Sequence, residues 1–417
     1  MKTTYKSTIK STRRSFLLGL AGFATASCFR NPSSSVSSAR ETERYLNEER
    51  SRDGKGLRQI AAEKGIVYGG FHQRDPVEFP QDAEFQRIFA EEYGLLVGGF
   101  FGVTVGPFGE NNYNFSQVEP FYNYARQNDL IFRATPMIWN EFNSPWVVEK
   151  FKSSDTISAE IDRIFVNIIS TFGKQYAGRV HSWDVVNEVI MVEDGRADSL
   201  KDTTISGVRG EKYPTWLNFL GSGYIERAFR VAAAADPDAI LVLNENGLTY
   251  SNMLGNSYWE KRRAAVLKLL ERLLAKGTPV HALGIQSHLL GHRNQEFDPQ
   301  KFRQFLSDVA SMGLKIYITE LDVADNELPQ DIEVRDRLVA EAYYDYLSVV
   351  LDEPAVTTVI NWGLNDRYSW LSYFAPRNDG ANVRPLLLDR QYDRKLAWSA
   401  VAKALAEAPK RSISQQS

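Results

Sequence analysis

The chain has 417 residues, 43% of them hydrophobic and 24% charged, enough for one large barrel or two smaller domains. Its formal charge is -3, yet residues 1–40 hold seven bases and no acid, so the remainder carries -10. Such an acidic body lacks the clustered Lys and Arg that phosphate backbones require, which excludes nucleic acid as the main partner and favours a neutral or weakly charged substrate.

At the start, "STRRSFLLGLAGFATASC" sets Arg13 and Arg14 before Phe16, then an apolar stretch, then small residues at 24–27. This is the pattern of a twin-arginine export signal over residues 1–26, and it predicts a periplasmic or extracellular protein. The apolar run is too short to span a bilayer as a permanent helix. Cys28 is the only cysteine, so no intrachain disulfide can form. It follows the small residues, where lipoproteins carry a lipidated Cys, but Thr25-Ala26-Ser27 lacks the usual Leu; membrane contact is expected only if Cys28 is lipidated. Residues 27–55, rich in Ser, Arg and Glu without apolar periodicity, read as a linker.

From there the chain alternates. Eight short apolar runs predict strands at 66–71, 94–100, 130–139, 179–188, 239–245, 282–288, 315–322 and 356–363. Longer amphipathic stretches such as "SGYIERAFRVAAAADP" and "RDRLVAEAYYDYLSVVLDEP" follow them and predict helices. Eight strand and helix alternations predict an α/β fold, a single (β/α)8 barrel over 56–408, with 409–417 a polar tail. Continuously apolar strands agree with burial on both faces.

In such a barrel the chemistry sits where the strands end. Asn187, Glu188, Gln286, His288, Glu320, Asp322 and Trp362 all fall at those ends. Taken singly, each has an ordinary explanation: a Glu after a strand caps or pairs, a His is a core residue, a Trp packs. Their joint arrival at successive ends points instead to two carboxyl groups facing one sugar ring, one to protonate the leaving oxygen and one to attack or to activate water. Strand alternation places Glu320 and Asp322 on one side, where Asp322 could orient His288 and His288 could aim Glu320. A negative Glu320 near Glu188 should raise the Glu188 pKa, as an acid catalyst needs. His72, His181, His281 and His292 show no metal-ligand spacing, and no metal or cofactor is expected.

"WDVVNE", "GIQSHL", "ITELDV" and "NWGLNDRYSWL", in this order and spacing, resemble glycoside hydrolase family 10, the retaining endo-β-1,4-xylanases. The similarity runs from about Gly56 to about Ala406 and includes "YNFSQVEPFYNYARQNDLIFRATPMIW" and "RPLLLDRQYDRKLAW". The resemblance implies that Glu188 is the acid/base and Glu320 the nucleophile, that His288 and Asp322 support it, and that Trp139, Asn187, Gln286, Trp362 and Trp370 bind the sugar. It further implies a polysaccharide or oligosaccharide substrate, and a monomer is expected. The chain also departs from the family pattern. Thr135 and Asn140 stand where two His are usual, the 102–112 segment lacks the usual Asn and Lys, and "LNENGL" replaces a Tyr-Asn-Asp-Tyr-Asn stretch. Two alternatives follow: a family member with shifted specificity, or a carbohydrate-binding barrel without turnover.

Overall fold

The computed structural model describes residues 54–411, apart from 74, 76–77, 101–108, 111, 154, 194–195, 197, 205–212 and 252–257. The export-signal region, Cys28, nearly all of the 27–55 linker, most of the 102–112 segment and residues 412–417 lie outside the described residues.

Eight parallel strands close on themselves: β1 (Val67–Phe71), β2 (Leu95–Gly99), β3 (Ile131–Thr135), β4 (Ser182–Asn187), β5 (Ile240–Glu245), β6 (Ala282–Ile285), β7 (Lys315–Ala324) and β8 (Val356–Asn361). Each pairs with its sequence neighbour, β8 pairs with β1, and the ladder from Lys315↔Ala282 to Ile318↔Ile285 joins β6 to β7. A closed parallel sheet has no edge to protect and buries both strand faces, which accounts for the near-continuous apolar runs. A helix follows each strand: α1 (Ala83–Glu92), α2 (Glu119–Gln127), α3 (Ser158–Gln175), α4 (Tyr224–Ala235), α5 (Tyr258–Ala275), α6 (Pro299–Ser311), α7 (Ile332–Val350) and α8 (Leu396–Glu407). This is the (β/α)8 barrel.

The helices form where helical spacing puts apolar residues on one face. In α3, Ile161, Ile164, Phe165, Ile168, Ile169 and Phe172 are buried, and their spacing of three and four lays them in one stripe toward the sheet. Side-chain caps fix several starts: Asp82 accepts from Phe85 N, Asp298 from Gln300 N and Lys301 N, and Asp331 from Val334 N.

The β4 sequence shows how one strand serves three environments. Trp183 points outward, and its indole donates to Asp236 at 2.9 Å beneath α4. Asp184 points into the barrel, where it pairs with Arg133. Arg133 also donates to Ser182 Oγ at 3.1 Å and lies over the Tyr317 ring at 5.5 Å. Asp184 and Asn187, three positions apart, would face opposite sides in a regular strand. The register shift between Asp184 and Val186 against β5 resets the alternation and returns Asn187 to the barrel mouth.

Two predicted strands are interrupted. The run 130–139 breaks at Pro136, which has no N–H for the ladder, into β3 and a short strand Ile138–Trp139 beside β4. The run 282–288 breaks at Ser287, whose φ of 62° ends β6 and sends His288–Leu290 along β7 alone. At the far end the chain stays docked through Arg411. Its N–H donates to Lys64 O at 2.8 Å and its guanidinium to Leu351 O at 2.8 Å and Val356 O at 3.2 Å.

Candidate active site

The C-terminal ends of β4, β5, β6 and β7 bring six polar side chains into one network. At its centre is Asn244 on β5, fully buried. Its amide donates to Glu320 Oε1 at 2.8 Å and to Asn187 Oδ1 at 2.9 Å, while its own oxygen accepts from Thr319 at 2.7 Å. Gly284 on the adjacent strand makes room for it, since a Cβ there would lie 2.4 Å from Asn244 Oδ1. Gln286 donates to Glu188 Oε1 at 2.9 Å and to Asn187 Oδ1 at 3.3 Å. Asn187 thus accepts from two amides, which fixes its oxygen inward and turns its NH2 to the mouth.

Glu320 is held from its other side by His288, whose Nε2 is 3.2 Å from Glu320 Oε2 and whose Nδ1 is 2.9 Å from Asp322 Oδ1. Trp370 donates its indole N–H to Asp322 Oδ2 at 2.7 Å, and its ring lies 5.0 Å from that of His288. Burial disfavours a charge on His288, but Asp322 and Glu320 outweigh it and push the imidazole up to about 10. Both ring nitrogens therefore carry hydrogens and donate to the two carboxylates.

Glu188 is placed differently. Its φ of 55° lies in the left-handed region, rare for a residue with a side chain. Its N–H donates to Asn244 O at 3.0 Å, and the next two N–H groups, of Val189 and Ile190, donate to Glu245 Oε1 at 2.6 and 3.0 Å. Glu245 is itself buried and paired with Arg262 of α5 at 3.0 Å. Lys201 lies beside the Glu188 carboxyl, with Nζ 4.0 Å from Oε2. Burial raises the Glu188 pKa above the ordinary carboxylate value; Lys201 and the Gln286 hydrogen bond oppose that, while Glu141 and Glu320 add to it. One carboxyl is inclined to keep a proton and the other is surrounded by donors, which is the division of labour that acid and nucleophile require.

The aromatic residues expected at the site are there. Trp362 stacks on Phe71 with ring centres 4.2 Å apart and planes 11° from parallel, and it meets His288 edge-on at 6.4 Å. Trp139 pairs in register with Asn187 and stacks on Phe142 at 4.3 Å. Thr135 and Asn140 are buried. Thr135 hydrogen-bonds Asp184 in the barrel interior, and the Asn140 carbonyl accepts from Asn143 and Tyr213.

Sequence reasoning brought together Asn187, Glu188, Gln286, His288, Glu320, Asp322, Trp139, Trp362 and Trp370, and the structure places all of them at one barrel mouth. It missed Asn244, Glu245, Lys201 and Glu141. Asn244 and Glu245 carried a usable signal: "LVLNE" ends an apolar strand in an amide and an acid, as "DVVNE" does. Lys201 and Glu141 carried none, since each lies in a loop and becomes informative only through the other.

A model of the family described as Glycosyl hydrolase family 10 matches residues 56–404. Endo-1,4-beta-xylanase B of Thermotoga neapolitana is 28% identical over 352 residues, covering 84% of this chain and 91% of that protein. Endo-1,4-beta-xylanase C of Paenibacillus barcinonensis is 29% identical over 77% of this chain, which spans 29% of that longer protein. Among solved structures, xylanase 10B of Thermotoga petrophila in complex with xylobiose is 26% identical with a TM-score of 0.71, covering 85% of this chain and 98% of that one. Native xylanase 10B of Thermotoga maritima matches equally, at 26% identity and a TM-score of 0.71 over 84% and 98%.

Proposed function

Because the chain belongs to glycosyl hydrolase family 10, we propose that it is an endo-acting, retaining hydrolase of β-1,4-linked xylan, with Glu188 as acid/base and Glu320 as nucleophile. The observation that carries the assignment of roles is the contrast between the two carboxyl surroundings. Glu320 receives hydrogen bonds from Asn244 and His288, which orient both of its oxygens. Glu188 sits where burial favours its protonated form.

In the first step an oxygen of Glu320 bonds to the anomeric carbon as the glycosidic C–O bond breaks, and the proton of Glu188 goes to the departing oxygen. In the second, Glu188, now ionised, takes a proton from water as the water oxygen bonds to the same carbon and the bond to Glu320 breaks. Asn187, its NH2 free toward the mouth, reaches a hydroxyl beside the reacting carbon. Trp362, Trp370 and Trp139 supply faces on which pyranose rings stack. A 2-fluoro-xyloside inactivator followed by mass spectrometry should label Glu320 alone. A comparison of reducing-sugar release by wild type and Glu320→Ala on a panel of β-glycans separates turnover from mere binding, since equal near-zero rates would sink the enzymatic reading.

The same proposal extends to export as a monomer. Arg13 and Arg14 before an apolar run, and a body that can form no disulfide, suit a protein folded before transport. Changing both arginines to lysine should strand precursor inside the cell, and normal export of that double variant would point to a different route. Palmitate labelling tests Cys28, and light scattering tests the monomer.

A further inference from the structure

We propose that Lys201, clamped by Glu141, is a positioning residue whose ammonium serves as the standing counter-ion of Glu188 and holds it ionised between the two half-reactions. The inference rests on the reading of Glu188 as acid/base.

Three observations support it. Lys201 Nζ lies 2.8 Å from Glu141 Oε1 and 4.0 Å from Glu188 Oε2, with only 6% of the lysine side chain exposed. A buried ammonium so placed cannot wander as a surface lysine does. The lysine is also delivered by the segment that carries Glu188. Lys201 N donates to Val189 O at 2.9 Å, Met191 N to Ser199 O at 2.8 Å, and Ile190 bridges Leu200 antiparallel. Thr215 Oγ1 then ties down the Lys201 carbonyl at 2.8 Å. Finally, Glu141 comes from another part of the chain, the loop after the short strand Ile138–Trp139, so the ammonium has two carboxyl neighbours of different chain origin.

The other charged groups around Glu188 leave this task to Lys201. Glu320 on β7 is negative in the free enzyme and an uncharged ester once glycosylated, so in neither state does it offset a charge on Glu188. His288 is committed to Asp322 and, in the free enzyme, to Glu320. Glu245 on β5 accepts from the backbone behind Glu188 and is matched by Arg262. Gln286, just past β6, is neutral and donates to Oε1, leaving Oε2 to the lysine. Once Glu188 has passed its proton to the leaving oxygen, its new charge appears 4.0 Å from an existing, largely buried cation. Lys201 itself transfers no proton: burial disfavours its charge, but Glu141 and Glu188 raise its pKa and keep it protonated.

The pair makes opposite predictions for its two members. The alkaline limb of kcat/KM on an aryl β-xylobioside reports loss of the Glu188 proton in the free enzyme. Lys201→Met removes the opposing cation and should move that limb up by roughly one pH unit or more. Glu141→Gln removes a neighbouring anion and leaves Lys201 wholly to Glu188, so the limb should move down. Lys201→Arg should keep the wild-type limb, and the double variant should return toward it. Glu188→Ala with azide, which should lose the limb and form a β-glycosyl azide, establishes that the limb belongs to Glu188. Limbs that stay fixed in both single variants, or move the same way, overturn the inference. If Lys201→Met does not fold, an unmoved limb in Glu141→Gln overturns it alone. A wild type that turns over no β-xylobioside would instead overturn the acid/base reading beneath it.

Discussion

Asn244 donates a 2.8 Å hydrogen bond to Glu320 from a fully buried position, and the same NH2 group reaches Asn187 at 2.9 Å. One amide thus fixes Glu320, the proposed nucleophile, relative to the residue that precedes Glu188. Asn244→Ala should leave Glu320 free to turn and Thr319 without its acceptor. kcat/KM should fall on the order of 10- to 100-fold, the usual cost of a misaligned attacking group. The rate of inactivation by a 2-fluoro-xyloside measures this directly, and an unchanged rate would show that His288 alone aims Glu320.

His288 makes stability depend on pH in a stated direction. Its ordinary pKa of 6.5 is raised to about 10 in the folded protein by Asp322 and Glu320, which outweigh burial. A raised cation stabilises the fold fully below its unfolded pKa and ceases to do so as pH climbs through the folded one. Wild type should therefore lose stability between about pH 6.5 and 10 relative to His288→Phe. Urea midpoints of the two proteins across that range provide the test.

Glu245 is a structural anchor for the segment that follows Glu188, the proposed acid/base. Glu245→Ala strips the partner from buried Arg262 and from the N–H groups of Val189 and Ile190. Breaking such a buried pair costs about 3 to 5 kcal/mol, which a denaturant titration would show as a lowered midpoint. Replacing both residues together should recover part of the loss, because no lone buried charge remains.

The glycone side should bind its sugars weakly. Thr135 spends its hydroxyl on Asp184, and the Asn140 side chain is buried away from solvent. Each sugar hydrogen bond missing there costs about 0.5 to 1.5 kcal/mol. Because binding energy from remote sugars lowers the chemical barrier, kcat as well as KM should suffer on linear xylan, with greater tolerance of decorated chains. Kinetics on unbranched against substituted xylo-oligosaccharides decide it; a strong preference for the unbranched series would show that other residues have replaced the lost contacts.

The barrel was legible in the sequence because closed parallel strands bury both faces, so each reads as a short apolar run, and because the mouth is where polar residues interrupt those runs. Glu188, His288 and Glu320 were visible for that reason. The register shift at Asp184 was not, since a bulge leaves no mark in hydrophobicity; yet it is what lets Asp184 serve the interior and Asn187 the mouth. Nor could Glu141 and Lys201 be paired, as 60 positions separate them and each lies in a loop of its own. Asn244 was passed over because the stretch that holds it, "LNENGL", departs from the family pattern as a whole, although its place at a strand end followed the same rule as Asn187.

The backbone at Glu188, with φ at 55°, has a consequence for how this barrel evolves. Glycine adopts that conformation freely, whereas any Cβ there costs roughly 1 kcal/mol. Glu188→Gly should therefore melt above Glu188→Ala, reversing the order expected at an ordinary strand end, while neither should cleave unactivated xylan. A descendant lineage released from the need to cut its substrate would find glycine at 188 an easy exchange. Glutamate at 188 thus carries a backbone cost that the fold by itself would avoid by placing glycine there.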